Sequence, residues 1–142
     1  MNIYERLEFL IRKTSFNIFK YGRRIINRYE LSKSQFDIIV DIYFTSPKSL
    51  KSLCKALDLA PSTVSEMLDR MEKKDLIVKK KDKKDKRKIK IDITEQANNI
   101  IEDVINRRVE YVKEVLENVE EENLEVFKQV LMKMLECQKS LE

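Results

Sequence analysis

The stretch PSTVSEMLDRMEKKDLIVKKKDKKDKRKIKIDI, residues 61–93, changes character in its middle. Its first half sets Val64, Leu68 and Met71, joined by Met67, at the three- and four-residue spacing of one helix face. Pro61 suits the first turn of that helix, where a missing N–H breaks no intrahelical bond. In the second half Ile89, Ile91 and Ile93 alternate with Lys88, Lys90 and Asp92, the period of a strand with one buried face. Leu76-Ile77-Val78 supplies the preceding strand, so the basic run from Lys79 to Lys88 forms the flanks and tip of a β-hairpin.

Upstream, Leu50, Leu53 and Leu57 lie on one face of a short helix that begins near Ser49, and Asp58-Leu59-Ala60 connects it to the helix at Pro61. Two helices joined by three residues read as a helix-turn-helix over 49–72, and the hairpin over 77–93 adds a wing. Ser32 and Gln35 match a capping box, with Leu31 and Phe36 at staple positions, so a further helix starts there and runs to Thr45-Ser46-Pro47. Ahead of it, apolar residues from Ile3 to Tyr29 repeat at helical spacing, and Phe9, Phe16, Phe19 and Ile26 widen the apolar surface beyond one stripe. Thr94 can cap a helix that reaches about Asn118. Glu120, Glu121 and Glu122 then open a last helix, whose Leu124, Phe127, Leu131, Met134, Gln138 and Leu141 make a packing seam. The expected fold is mainly α with a small β-hairpin wing (α+β). A winged helix-turn-helix lobe over 31–95 is flanked by dimerisation helices over 1–29 and 95–142, all within a single domain of residues 1–142.

Composition removes several chemistries. Histidine is absent from the 142 residues, which excludes Ser-His-Asp and Cys-His catalysis, histidine metal ligation and a histidine pH switch. Cys54 and Cys137 alone can complete neither a disulfide framework nor a structural zinc site. One glycine and two prolines favour long helices over turn-rich β architecture. Neither a membrane-spanning run nor a secretory signal is expected, which points to a cytoplasmic protein with reduced thiols. With no histidine, Gly-rich phosphate loop or metal-ligand cluster, neither a cofactor nor enzymatic activity is expected. Glu120 to Glu122 read as electrostatics at a helix start, not as acid-base catalysts.

The net charge of +4 conceals a segregation. Residues 73–90 hold eleven lysines and arginines against three acids, whereas residues 91–142 hold six against thirteen. A basic wing is therefore balanced by an acidic C-terminal third.

Leu31-Ser-Lys-Ser-Gln-Phe-Asp-Ile-Ile, Ser49-Leu-Lys-Ser-Leu-Cys-Lys-Ala-Leu, Pro61-Ser-Thr-Val-Ser-Glu-Met-Leu-Asp-Arg, Asp85-Lys-Arg and Ile93-Thr-Glu, in that order, resemble the MarR family of winged helix-turn-helix transcriptional regulators. The flanking helices extend the resemblance over nearly the whole chain. Where the family often has glycine this chain has Asp58, Asp75 and Ala97, which should occupy turn or helix-end positions. Ala60 stands where a serine or threonine commonly caps the recognition helix.

The resemblance implies double-stranded DNA binding without chemistry, by a homodimer on a pseudo-palindromic site with half-sites roughly 34 Å apart. Ser62, Thr63, Ser65, Glu66 and Arg70 would meet base edges and phosphates, although the hydroxyls also suit a plain helix start. Lys83, Lys84, Lys86, Arg87 and Lys88 would neutralise phosphates, with Arg87 reaching into the minor groove. Asp85 would steady the wing by pairing with Arg70. For Lys79, Lys80 and Lys81 a solvated strand is as fitting as DNA contact. The family implies repression relieved by a small aromatic or lipophilic ligand; Phe16, Phe19, Phe36, Tyr43 and Phe44 would line its pocket, and equally suit a plain core. Peroxide-sensing members carry a cysteine in the first helix, and residues 1–30 have none. Cys54 reads as a small core residue, Cys137 as a candidate intersubunit thiol. Two alternatives stay open: a winged-helix protein-protein adaptor, which would want a neutral wing, and a PadR-type regulator, which would lack the long first helix.

Overall fold

The computed structural model describes residues 1–45 and 48–141. It comprises α1 (Ile3–Asn27), α2 (Lys33–Thr45), β1 (Lys48–Ser49), α3 (Leu50–Leu57), α4 (Pro61–Lys73), β2 (Ile77–Lys81), β3 (Ile89–Ile93), α5 (Glu95–Val115) and α6 (Glu121–Leu141). The chain divides into two compact units, Met1–Arg108 and Val109–Glu142. The expected class, mainly helical with a small antiparallel wing, is the observed one.

Local chemistry sets most boundaries. Asn2 and Glu5 close a capping box at the start of α1. Ser32 and Gln35 close the expected one before α2: the Ser32 Oγ accepts from the Gln35 N–H, and the Gln35 Oε1 accepts from the Ser32 N–H, both at 3.1 Å. Ser49 caps α3 through the Ser52 N–H. The helix α4 has no side-chain cap at Ala60, as its sequence implies, and opens with Pro61. Helices α3 and α4 end on Asp58 (φ 54°) and Asp75 (φ 58°), both left-handed, so the two occupy the turn positions expected of them. After Asp75, the Leu76 N–H reaches back to the Met71 carbonyl at 2.9 Å and the Asp75 N–H to the Glu72 carbonyl at 3.0 Å, a Schellman closure. Thr94 accepts from the Ala97 N–H at 3.2 Å and donates to the Asp75 carbonyl at 2.7 Å, so one hydroxyl both caps α5 and ties it to the end of α4. Ala97 is fully buried in that first turn.

Within the first unit the core joins Ile38, Ile39 and Ile42 of α2, Leu53 of α3, Val64, Leu68 and Met71 of α4, Ile77 and Ile91 of the sheet, and Ile101 and Val104 of α5. The inward stripe read from residues 61–71 is thus the buried one. Only the C-terminal part of α1, at Gly22, Ile25 and Ile26, is buried; its N-terminal half leaves Ile3, Tyr4, Leu7, Phe9, Leu10 and Ile11 exposed. In the second unit α6 has no buried residue and exposes Val126, Phe127, Val130, Leu131, Met132 and Leu135.

Four details differ from the sequence reading. The wing is a three-stranded sheet of order β1-β3-β2, because Lys48 and Ser49 pair with Ile91 and Lys90. Two residues are too few to show alternation. The strand β3 does not bury one whole face: Ile91 is buried, Ile93 is half-buried, and Ile89, paired with Lys81 near the hairpin tip, is 50% exposed because the tip projects past the core. Tyr29 lies beyond the end of α1, and α5 stops at Val115 instead of near Asn118. The expected stop at Ser46 and Pro47 falls outside the described residues.

Candidate nucleic-acid interface

The helix α4 buries Val64, Leu68 and Met71 and turns Ser62, Thr63, Ser65, Glu66, Asp69 and Arg70 to solvent. With no cap at Ala60, its first N–H groups stay open beside three exposed hydroxyls, at the positive end of the helix. Glu66 and Arg70 approach to 3.8 Å across one turn, both exposed.

The wing tip is shaped by its two aspartates. Asp82 accepts from the Lys84 N–H at 3.0 Å, and Asp85 accepts from the Arg87 N–H at 3.1 Å. Backbone bonds from the Asp82 N–H to the Lys88 carbonyl and from the Lys88 N–H to the Asp85 carbonyl close the turn. The expected Asp85–Arg70 pair does not form. Asp85 lies 3.5 Å from the Arg87 guanidinium within its own turn, and Arg70 is taken up by Glu66. The Asp85 side chain serves the adjacent backbone, a local geometry that sequence distance had not suggested. Lys83, Lys84, Lys86, Arg87 and Lys88 are all exposed, Arg87 at 94% of its side chain.

Lys79 differs from these. Its ammonium sits 2.5 Å from Asp69 and 4.0 Å from Glu72, joining β2 to α4. The bond from Lys79, with its charge, holds the Asp69 carboxyl below the usual carboxylate range. Sequence reading leaves Lys79 undecided. Its place in a strand flanking a helix with carboxylates at i and i+3 is the available signal.

A cavity of about 560 Å³ opens between α1 and α2, walled by Phe16, Phe19, Ile26 and Phe36 and edged by Lys20, Arg23, Lys33, Asp37 and Arg108. Three of the five suggested pocket residues line it. Tyr43 and Phe44 do not: they meet each other edge to face at 5.1 Å, Tyr43 against the core and Phe44 exposed. They are a further two turns along α2 from Phe36, which carries them away from the cavity. Arg108 was not anticipated. Its guanidinium stacks 5.5 Å from the Phe36 ring centre, and its buried Nε holds no hydrogen bond among the described residues. Burial pulls its pKa down, and the Asp37 charge partly offsets that. The group lies over Gly22, where a Cβ would come within 2.4 Å of it. A lone glycine inside a helical pattern was the signal for that close approach. Just past the C-terminal end of α1, the Tyr29 hydroxyl donates to Asp103, which also accepts from Arg107 at 3.1 Å. Cys54 is half-buried against the core and Cys137 is exposed.

A solvent-facing second helix of a helix-turn-helix, flanked by a basic antiparallel wing, defines a winged helix-turn-helix DNA-binding protein. The MarR family model matches residues 31–89. The HTH-type transcriptional regulator YsmB of Bacillus subtilis is 32% identical over 113 residues, 80% of this chain and 77% of the relative. A MarR family protein from Bacillus stearothermophilus superposes with a TM-score of 0.88 at 28% identity, over 98% of this chain and 99% of that one. MepR of Staphylococcus aureus, at 24% identity and a TM-score of 0.69 over 96% and 98% of the two chains, shares the fold. The chain belongs to the MarR family, and it is a DNA-binding transcriptional regulator, not an enzyme.

Proposed function

We propose that the chain acts in the cytoplasm as a homodimeric repressor, each copy reading one half of a pseudo-palindromic operator, and that a small aromatic or lipophilic ligand releases it. The observation that carries this reading is the pairing of an exposed, uncapped α4 start with five exposed cations on the wing of the same lobe. Ser62, Thr63 and Ser65 donate to base edges or phosphates, Glu66 accepts from a cytosine amine, and Arg70 adds a cation at the helix flank. Lys83, Lys84, Lys86 and Lys88 neutralise phosphates, and Arg87 enters the minor groove while Asp85 holds the turn beneath it. A MepR variant has been solved bound to an oligodeoxyribonucleotide.

The dimer follows from surface that one copy leaves bare. The N-terminal half of α1 and the whole of α6 expose large apolar side chains in series, beyond what a monomer in water keeps uncovered. Phe16, Phe19 and Phe36 offer an aromatic ligand three walls, and MepR has been solved bound to ethidium bromide. Sequencing the genomic fragments that the purified chain retains, with and without candidate phenolic ligands, tests the whole reading. Retained fragments sharing an inverted repeat, and lost on adding a ligand, are expected. Retention without a common motif refutes operator recognition, and motif binding that no ligand alters refutes the release step.

A further inference from the structure

We propose that Lys79 is a positioning residue: it braces the recognition helix α4 against the wing and does not contact DNA phosphate. The inference rests on α4 and the wing being the DNA-contacting surface. Lys79 belongs to the most basic segment of the chain, where its charge suits a phosphate contact as well as a solvated strand does. Its surroundings speak against the phosphate contact. The ammonium faces two carboxylates, Asp69 at 2.5 Å and Glu72 at 4.0 Å, and its side chain is only 28% exposed. The cation is thus already matched by two acids of α4, which leaves it less free to hold a phosphate than the exposed lysines of the wing tip.

The brace sits where it has leverage. On its inner side α4 shares a core with the sheet, Leu68 and Met71 joining Ile77 in one buried cluster, and apolar packing of this kind resists separation but is not directional. Lys79 acts on the outer side of the same helix. A charge-assisted hydrogen bond is directional, so it fixes the tilt that the apolar pad leaves soft. Asp69 stands one turn beyond Ser65 and Glu66, so a change in tilt at Asp69 moves the residues that face the bases. Base-edge hydrogen bonds depend on placement, whereas phosphate contacts tolerate displacement.

The role predicts a pattern across two DNA probes. One is a duplex selected by the wild-type chain from a random pool; the other is a scrambled duplex of equal length. Binding is followed by fluorescence anisotropy from about 50 to 200 mM salt. Lys79→Met keeps the aliphatic stem in the strand, and it should weaken the selected duplex about two- to five-fold. It should leave the scrambled duplex and the salt slope unchanged. Asp69→Asn should do the same, the double variant should be no worse than either single one, and Lys79→Arg should restore binding. The proposal is overturned if Lys79→Met weakens both duplexes alike and lowers the slope by about 0.9 per lysine, as loss of a phosphate contact does. Additive losses from Lys79→Met and Asp69→Asn, or no loss at all, also overturn it. Lys84→Ala, run alongside, separates the two readings. An unchanged slope there rejects the wing as a phosphate contact, while non-additivity of Lys79 and Asp69 on the selected duplex still decides the brace.

Discussion

Replacing Gly22 by alanine sets two opposed effects against each other. Glycine in a helix interior costs about 0.8–1.0 kcal/mol relative to alanine, so Gly22→Ala should stabilise α1 by about that amount. The new Cβ, however, would stand 2.4–2.8 Å from three guanidinium atoms of Arg108, closer than any tolerated contact. Those atoms end a flexible side chain, so the guanidinium moves instead of the backbone. Moving it forfeits the stacking on Phe36, worth about 0.5–1 kcal/mol. The net change in the native background is therefore close to zero. In an Arg108→Ala background the clash with the guanidinium is gone, and Gly22→Ala should raise the melting temperature by about 3 °C. Thermal unfolding of the four chains, native, each single variant and the double, measures the difference. Equal shifts from Gly22→Ala in the two backgrounds would refute the placement of Arg108 over Gly22, and with it the reason the chain keeps its one glycine.

Removing two wing cations together, by Lys84→Ala with Arg87→Ala, would delete two of the proposed phosphate contacts per copy, four in the proposed dimer. The slope of log K against log salt should then fall by about 3.6, so that between about 50 and 200 mM the native chain loses roughly 150-fold more affinity than the variant. Leu68→Ala should destabilise the first unit by about 2–5 kcal/mol in denaturant titrations, because the side chain is buried in the core. Ser65→Ala, exposed on the opposite face of the same helix, should leave stability within about 0.5 kcal/mol while weakening operator binding. The bond from Tyr29 lowers the pKa of Asp103, with Arg107 adding to it, and the same bond raises that of Tyr29. The carboxylate's share of stability is present above its unfolded value of 3.8 and lost as pH falls through the lower folded value; the phenol's is present below 10.0 and lost as pH rises through the higher folded value. Tyr29→Phe should accordingly lower the melting temperature at neutral pH and converge with the native chain at both extremes.

Elements that rest on repeated local signals are legible in the amino-acid sequence. The Ser32–Gln35 box, the Pro61 start and the Val64, Leu68, Met71 stripe each depend on neighbours within one or two turns, and each is present in the fold. The left-handed Asp58 and Asp75 are reachable in the same way, because a helix that stops abruptly needs a residue that tolerates positive φ. Features that escape a sequence reading depend on partners far along the chain. Lys48 and Ser49 become a strand only by pairing with β3, and Arg108 has meaning only across from Gly22 and Phe36. Charge pattern alone also misleads within the candidate site. It groups Lys79 with its neighbours, and it matches Asp85 with a distant arginine when its own turn holds a nearer use for it.

The two left-handed aspartates bear on how far this lobe can be improved. Each closes a helix of the helix-turn-helix, so each sets a negative side chain at the negative end of a helix dipole. Each also bears the steric penalty of about 1–2 kcal/mol that a left-handed conformation imposes on an L-residue with a side chain, eased where a short polar side chain bonds locally. Glycine at either site relieves both burdens, against a larger loss of chain freedom on folding of about 0.5–1 kcal/mol. The lobe thus holds an untapped reserve of stability at two turns, neither among the exposed residues that open α4. Hardening it there would leave the exposed start of α4 as it is, and would give room for changes elsewhere in the lobe that cost stability.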